Sequence, residues 1–281
     1  MSPATPGRTL GQDPEEAAGA TATAAAAAAA VDPDAPLPAR RRGPFLGYAV
    51  MPVLLGLACL FLYLWLQGKE LDSIERRLVN ADVIREGVVE HIKLSLVSTV
   101  FVILIAVPLG ILLTRSFAHW LTPAVIGLAN IGQMVPSIGV LVLLALIWSI
   151  GFRPAVVALV AYAVLPVLRN TMVGLQQVDR SVIEAGRGMG MTKRRVLTRI
   201  ELPLAVPVIL AGVRTALVIN VGAATLATFV NAGGLGDIIS GGLSTSRDTV
   251  IITGAVLTAV LALSVDWLGG IVEDLLRPKG L

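Results

Sequence analysis

Cysteine is nearly absent from this chain of 281 residues. With Cys59 alone, neither an intrachain disulfide nor a cysteine-built metal cluster is available. Histidine is almost as scarce: His91 and His119 stand far apart at the edges of apolar runs, which gives no metal site and places both at an interface with water. Only 15% of residues are charged, against about 25% in an average soluble domain. The nucleotide-binding loop is missing too. That motif needs Gly-Lys-Ser/Thr at its end, whereas Gly68-Lys69 is followed by Glu70 and Lys193 is preceded by Thr192. No nucleophile–base constellation and no soluble domain are visible, so the chain is not read as an enzyme, holds no cofactor of its own and cannot drive itself with ATP.

What the sequence does have is apolar length. Hydrophobic residues make up 55% of it and the mean hydropathy is +0.81. About 20 apolar residues carry a helix across the hydrocarbon core, and such stretches occur at 45–66, 92–113, 122–150, 154–172, 204–230 and 249–272. The expectation is an all-α polytopic membrane protein of roughly six transmembrane helices. The third stretch is long for one crossing and contains Gly132, Pro136 and Gly139, which predicts a break there. Trp65, Trp120, Trp148 and Trp267 fall near the predicted span ends, where indoles favour the membrane–water interface.

The net charge of +3 and pI of 9.3 would suggest nucleic acid in a soluble protein. Here the basic residues cluster between spans, as orientation by positive charge requires. Arg40, Arg41 and Arg42 precede the first span, and Arg180, Arg187, Lys193, Arg194, Arg195 and Arg199 lie between the fourth and fifth. Both termini and that loop are accordingly expected in the cytoplasm of a cell-membrane protein. Residues 67–91, mixed in charge, would lie outside and form a short amphipathic surface helix. Residues 1–44, rich in Ala and Pro and ending in the arginine cluster, read as a disordered cytoplasmic tail. Residues 45–277 read as the membrane domain, and 278–281 as a second cytoplasmic tail.

The segment 179–203, DRSVIEAGRGMGMTKRRVLTRIELP, carries the most information. Ser181 with Glu184 three residues on is a capping box. Ala185, Gly186 and Gly188 leave one helix side nearly bare, so another backbone can come close. Gly190 can take a positive φ and end that helix. Thr192 can cap a second short helix, after which Pro203 and Pro207 open the fifth span. At these residues the chain resembles the permeases of ATP-binding-cassette (ABC) importers of type I. Their coupling loop reads Glu-Ala-Ala, three residues, Gly, nine residues, Ile, any residue, Leu-Pro. Here it appears as Glu184-Ala185-Gly186, Gly190, Ile200 and Leu202-Pro203, departing only at Gly186, where the small-for-small change should preserve docking. The resemblance implies a coupling loop at about 173–203 that inserts into an ATPase subunit, with Glu184, Ala185 and Gly190 as the coupling positions.

A narrower resemblance, to permeases for glycine betaine, carnitine, choline or proline betaine, rests on NIGQMVPSIGV at 130–140, ATLATFVNAGGLGDIISGGL at 224–243 and the tail VDWLGGIVEDLLRPKGL. Permeases for methionine and other small solutes share the general pattern. The family implies ATPase subunits that bind the ATP, an extracytoplasmic binding protein, and a second permease, identical or related. The rival reading is a self-contained secondary transporter, but no clear internal repeat is visible.

Polar groups inside spans are candidates for the solute path or for bonds between helices. Asn130, Gln133 and Ser137 surround Pro136, while Asn220, Thr225, Thr228 and Asn231 recur along the fifth span. Arg214 and Asp266 are the deep charges, able to pair if spans five and six pack, as a structural ion pair or a proton relay. The glycine-rich run 231–242 reads as an external turn or a re-entrant segment. With only 5% aromatic residues, a cation–π cage for an ammonium ligand is expected in the binding protein.

Overall fold

A computed structural model describes residues 46–276; the expectations for the two tails lie outside them. Among the described residues every regular element is helical. The first long helix, α1 (Leu46–Gln67), is followed by a short α2 (Ser73–Leu78). The Asp72 carboxylate accepts from the amides of Ile74 and Glu75, and Glu75 reaches back to the Asp72 amide, which explains where α2 starts. Asp72 also meets Arg247 at 2.7 Å.

The third helix, α3 (Ala81–Leu113), is 33 residues long and begins well before the apolar run that announced it. Asn80 caps it through the Val83 amide. At 1.5 Å per residue it is about 50 Å long, enough to cross the membrane and extend beyond. Its buried stripe runs through His91, Leu94, Ser95, Ser98, Thr99, Val102, Ala106, Gly110 and Leu113. Successive positions lie one, three or four residues apart, which keeps them on one helix face. Gly110 allows a close crossing with the helix that carries Thr171: a β-carbon there would stand 2.8 Å from that side chain.

A 3₁₀ turn (His119–Leu121) leads to α4 (Thr122–Met134), and α5 (Ser137–Ile147) follows at 94° after a two-residue break. Pro136 has no amide to donate and pushes Val135 out of helical geometry, to φ −70° and ψ 131°. The expected break is therefore present. Among the described residues, five helices are long and apolar enough to cross a membrane, six if the bent pair is one span.

The bundle centre is formed by α3, α6 (Phe152–Gln176) and α9 (Leu202–Ala224). Its core contains Val102, Ala106, Leu165, Leu168 and Ala216, with Leu94, Leu141, Leu159 and Ala224 farther along. Between α6 and α9 lie two short helices, α7 (Arg180–Gly188) and α8 (Lys193–Val196). The α9 run continues as a 3₁₀ segment (Thr225–Val230), a turn at 231–234, α10 (Leu235–Thr245) and α11 (Asp248–Leu276).

One end of the bundle is the α7–α8 loop with the end of α3 and the start of α9. At the other end the Gly151 amide donates to Val230 O at 2.7 Å. The glycine-rich run is thus a tight turn followed by a short helix, packed against α3 and α11.

Candidate functional site

The loop between α6 and α9 is built from its caps. Asp179, not Ser181, starts α7: its carboxylate accepts from the Ser181 amide at 2.8 Å. This corrects the expected capping box, because Ser181 already lies in the first turn. The Ser181 amide holds the Asp179 carboxyl below the usual carboxylate range. A lowered folded pKa contributes stability above the ordinary value near 3.9, and that contribution is lost as pH falls through the lower folded value. The Asp179→Ala substitution is accordingly expected to raise amide exchange in α7 about fivefold at neutral pH, with Asp179→Asn close to the parent. Exchange mass spectrometry checks this.

α7 ends in a Schellman motif. Gly190 takes φ +81°, its amide bonds Arg187 O at 2.9 Å, and the Met191 amide bonds Gly186 O at 3.1 Å. Thr192 caps α8 through the Arg195 amide at 3.3 Å. The expected separate second helix is instead the first part of one helical run, Lys193–Val230. A π-helical turn, Leu197–Glu201, widens it just ahead of Pro203. Pro203 has no amide to close the regular bond to Arg199, and the wider turn takes up that irregularity.

The seven pattern residues divide into two groups. Gly186 is buried, and a β-carbon on it would come within 2.6 Å of Ile200 Cδ1. Val196, fully buried, packs beside them. Leu202 is half-buried beside Leu175, Ala205 and Ile209. These positions give the loop a small core of its own. Gly186 was expected on the bare docking face; the structure puts it inside, so its departure from Ala faces Ile200. Glu184, Ala185, Gly190 and Pro203 are exposed. Glu184 lines a cavity of about 430 Å³ together with Arg115, Arg180, Arg187 and Glu201.

Sequence reading missed the ion pair that anchors this loop. Arg115, just past α3, donates to Glu201 at 2.6 Å, and the Glu201 side chain is only 7% exposed. The available signal was opposite charge at the same end of two neighbouring spans.

The candidate path residues fall into separate settings. Asn130 accepts from Arg169 at 2.9 Å and Gln133 donates to Tyr162 O at 3.1 Å, so both face α6 beside the bend. Pro136 is exposed at the bend and Ser137 opens α5. α5 packs against the 3₁₀ segment that carries Thr225 and Thr228, and Asn231 follows at φ 53°. The Thr225 hydroxyl donates to Gly222 O at 2.7 Å. Asn220 stands apart, fully buried and bonded to Thr99 at 2.9 Å. Arg214 is bidentate to Asp266, at 2.6 and 2.5 Å, with Glu273 at 3.7 Å.

His91 requires a correction. It is fully buried, not interfacial. Nδ1 accepts from the Leu235 amide at 3.2 Å, which leaves Nε2 to donate to Val221 O at 2.8 Å. Beside it the Glu90 carboxylate accepts from the Gly234 amide at 3.0 Å. Together they hold the amino end of α10, whose free amides favour an anion.

Residues 106–278 match the family described as binding-protein-dependent transport system inner membrane component. The chain belongs to this family. It is 43% identical over 192 residues to the glycine betaine/carnitine/choline transport system permease protein OpuCB of Bacillus subtilis (strain 168), a match covering 68% of this chain and 88% of that one. It is 44% identical to the carnitine transport permease protein OpuCD of Listeria monocytogenes serotype 1/2a (strain 10403S), covering 71% and 89%. Among solved structures, an inward-facing MetNI methionine ABC transporter matches with TM-score 0.62 and 28% identity, over 70% of this chain and 97% of the other. This family member is thus a multi-pass, all-α transport subunit, and the loop at 179–203 lies within the matched residues.

Proposed function

We propose that the chain is the permease of an ATP-driven importer for a small osmoprotectant of the glycine betaine, carnitine or choline class, with both termini and the α7–α8 loop in the cytoplasm. The loop carries this reading. Its inner residues pack on one another and on Leu175 and Ala205, while Glu184, Ala185 and Gly190 stay on the surface, with nothing within 4 Å of a β-carbon added at Gly190. A rigid, small-residue knob of this kind fits a groove on an ATPase subunit. Two permeases, two ATPases and an external binding protein would complete the system. Closure of the ATPase pair on ATP then moves the knob, and the π-turn and Glu201 pass that movement to α9 and α3.

The substrate class rests on the relatives, whose names specify glycine betaine, carnitine and choline. The named methionine transporter supports methionine as the second reading. The test is uptake of labelled glycine betaine after salt upshift, in a deletion strain of the source organism complemented with the chain. The parent is expected to restore uptake. Gly190→Trp is expected to lower it about thirtyfold, the size of an interface hot spot. Because Gly190 has a positive φ, Ala185→Trp on regular helix provides a second variant. Full rescue by both expressed variants would refute docking through this loop. An expressed parent that restores methionine uptake alone would move the substrate to the second reading.

A further inference from the structure

The α9–α11 face carries exposed charge at membrane depth. Arg214 stands about 18 Å from the start of α9 and Asp266 about 15 Å from the end of α11 at helical rise, both within candidate spans. Their side chains are 35% and 36% exposed. A charge in hydrocarbon is costly, and aspartate lacks the long stem by which lysine or arginine reaches the interface. This face therefore meets water or protein, not lipid. Two observations favour water. A cavity of about 490 Å³ opens on the pair, lined also by Ala211, Thr215, Val218 and Glu273. A second cavity, of about 330 Å³, shares Ala211 and Glu273 and continues towards Pro207, near the loop end. Among the described residues the charges at the pair also do not balance, since Arg214 stands against both Asp266 and Glu273. A dry interface between copies would bury that surplus carboxylate twice.

We propose that this groove is a wall of the water-filled solute path. The Arg214–Asp266–Glu273 triad gives it a net negative charge that favours cations and zwitterions with an exposed ammonium over anions. The inference rests on the permease reading and places the path on α9 and α11.

The experiment is thiol accessibility in the full-length complex in proteoliposomes, with Cys59→Ser as background. Thr215→Cys and Val218→Cys test the groove. Leu268→Cys, exposed elsewhere on α11, is the lipid-facing control, and Thr198→Cys, exposed on the loop, the aqueous one. The probes are methanethiosulfonates bearing either trimethylammonium or sulfonate. A thiol reacts as thiolate, which needs water, so both groove positions are expected to react more than about tenfold faster than Leu268→Cys, and faster with the cationic reagent. Reaction as slow as at Leu268→Cys, while Thr198→Cys reacts, would overturn the proposal. So would oxidative cross-linking of two copies at Thr215→Cys without modification. Equal rates with the two reagents would overturn the charge preference. A complex that reacts as expected but brings down no ATPase would refute the permease reading and leave the aqueous groove standing.

Discussion

Replacing Arg115 with Met is expected to cost about 3 kcal/mol of stability and to uncouple ATP hydrolysis from uptake. Glu201 is the reason. Its side chain is 7% exposed, it sits in the π-turn between the loop and α9, and Arg115 meets it at 2.6 Å. Removing the cation leaves a buried carboxylate without its partner, which is the costly way to break such a pair. Glu201→Gln keeps an acceptor for Arg115 and should cost about 1 kcal/mol. The double variant Arg115→Met, Glu201→Leu should recover part of the stability, because neither charge is stranded. Thermal unfolding in detergent measures the first effect. The ratio of ATPase turnover to labelled uptake in proteoliposomes measures the second. In both single variants uptake should fall more than hydrolysis. A single variant with parental coupling would show that the pair only holds the loop in place.

The second large effect is expected where α10 meets the far end of the α9 run. Gly236 opens α10 so close to Thr225 that an added β-carbon would overlap the carbonyl oxygen of Thr225 and lie 2.9 Å from its carbon. The obstruction is backbone, so no rotamer change relieves it. Gly236→Ala is expected to cost about 3 kcal/mol, at the upper end for overpacking, and to release the turn that Glu90 and His91 hold. Gly241→Ala on the same helix meets only the Leu78 side chain at 3.3 Å and should change stability by less than about 1 kcal/mol. Comparing the two in one unfolding series separates the close approach from loss of glycine as such. Equal effects would mean that α10 is not seated as described.

Much of this arrangement was readable from local pattern. Apolar length located the spans, Pro136 located the bend, and Gly190 and Thr192 located the end of one loop helix and the start of the next. Each of these depends on a few consecutive residues and on backbone rules that act within a turn. Errors arose where partners are distant in sequence. His91 reads as interfacial because it follows a charged stretch, yet its bonds go to Val221 and Leu235, more than a hundred residues away. Gly186 reads as bare docking surface until Ile200 folds back onto it. Asn220 reads by its spacing as path-lining or as a bond between helices, and only packing pairs it with Thr99 on α3.

The sequence by itself determined that the chain is a helical membrane protein of the binding-protein-dependent transport family, with a glycine-punctuated loop between its fourth and fifth apolar stretches. These properties are fixed by hydropathy over about 20 residues and by motif spacing. Tertiary structure alone decided which side of each helix is hidden, and so which loop residues pack and which remain free to dock. It also decided that Arg115 meets Glu201, that Glu90 and His91 hold α10, and that Arg214 and Asp266 meet beside an open groove. Such pairings join residues far apart in the chain, and only the packing of one helix on another sets their distance.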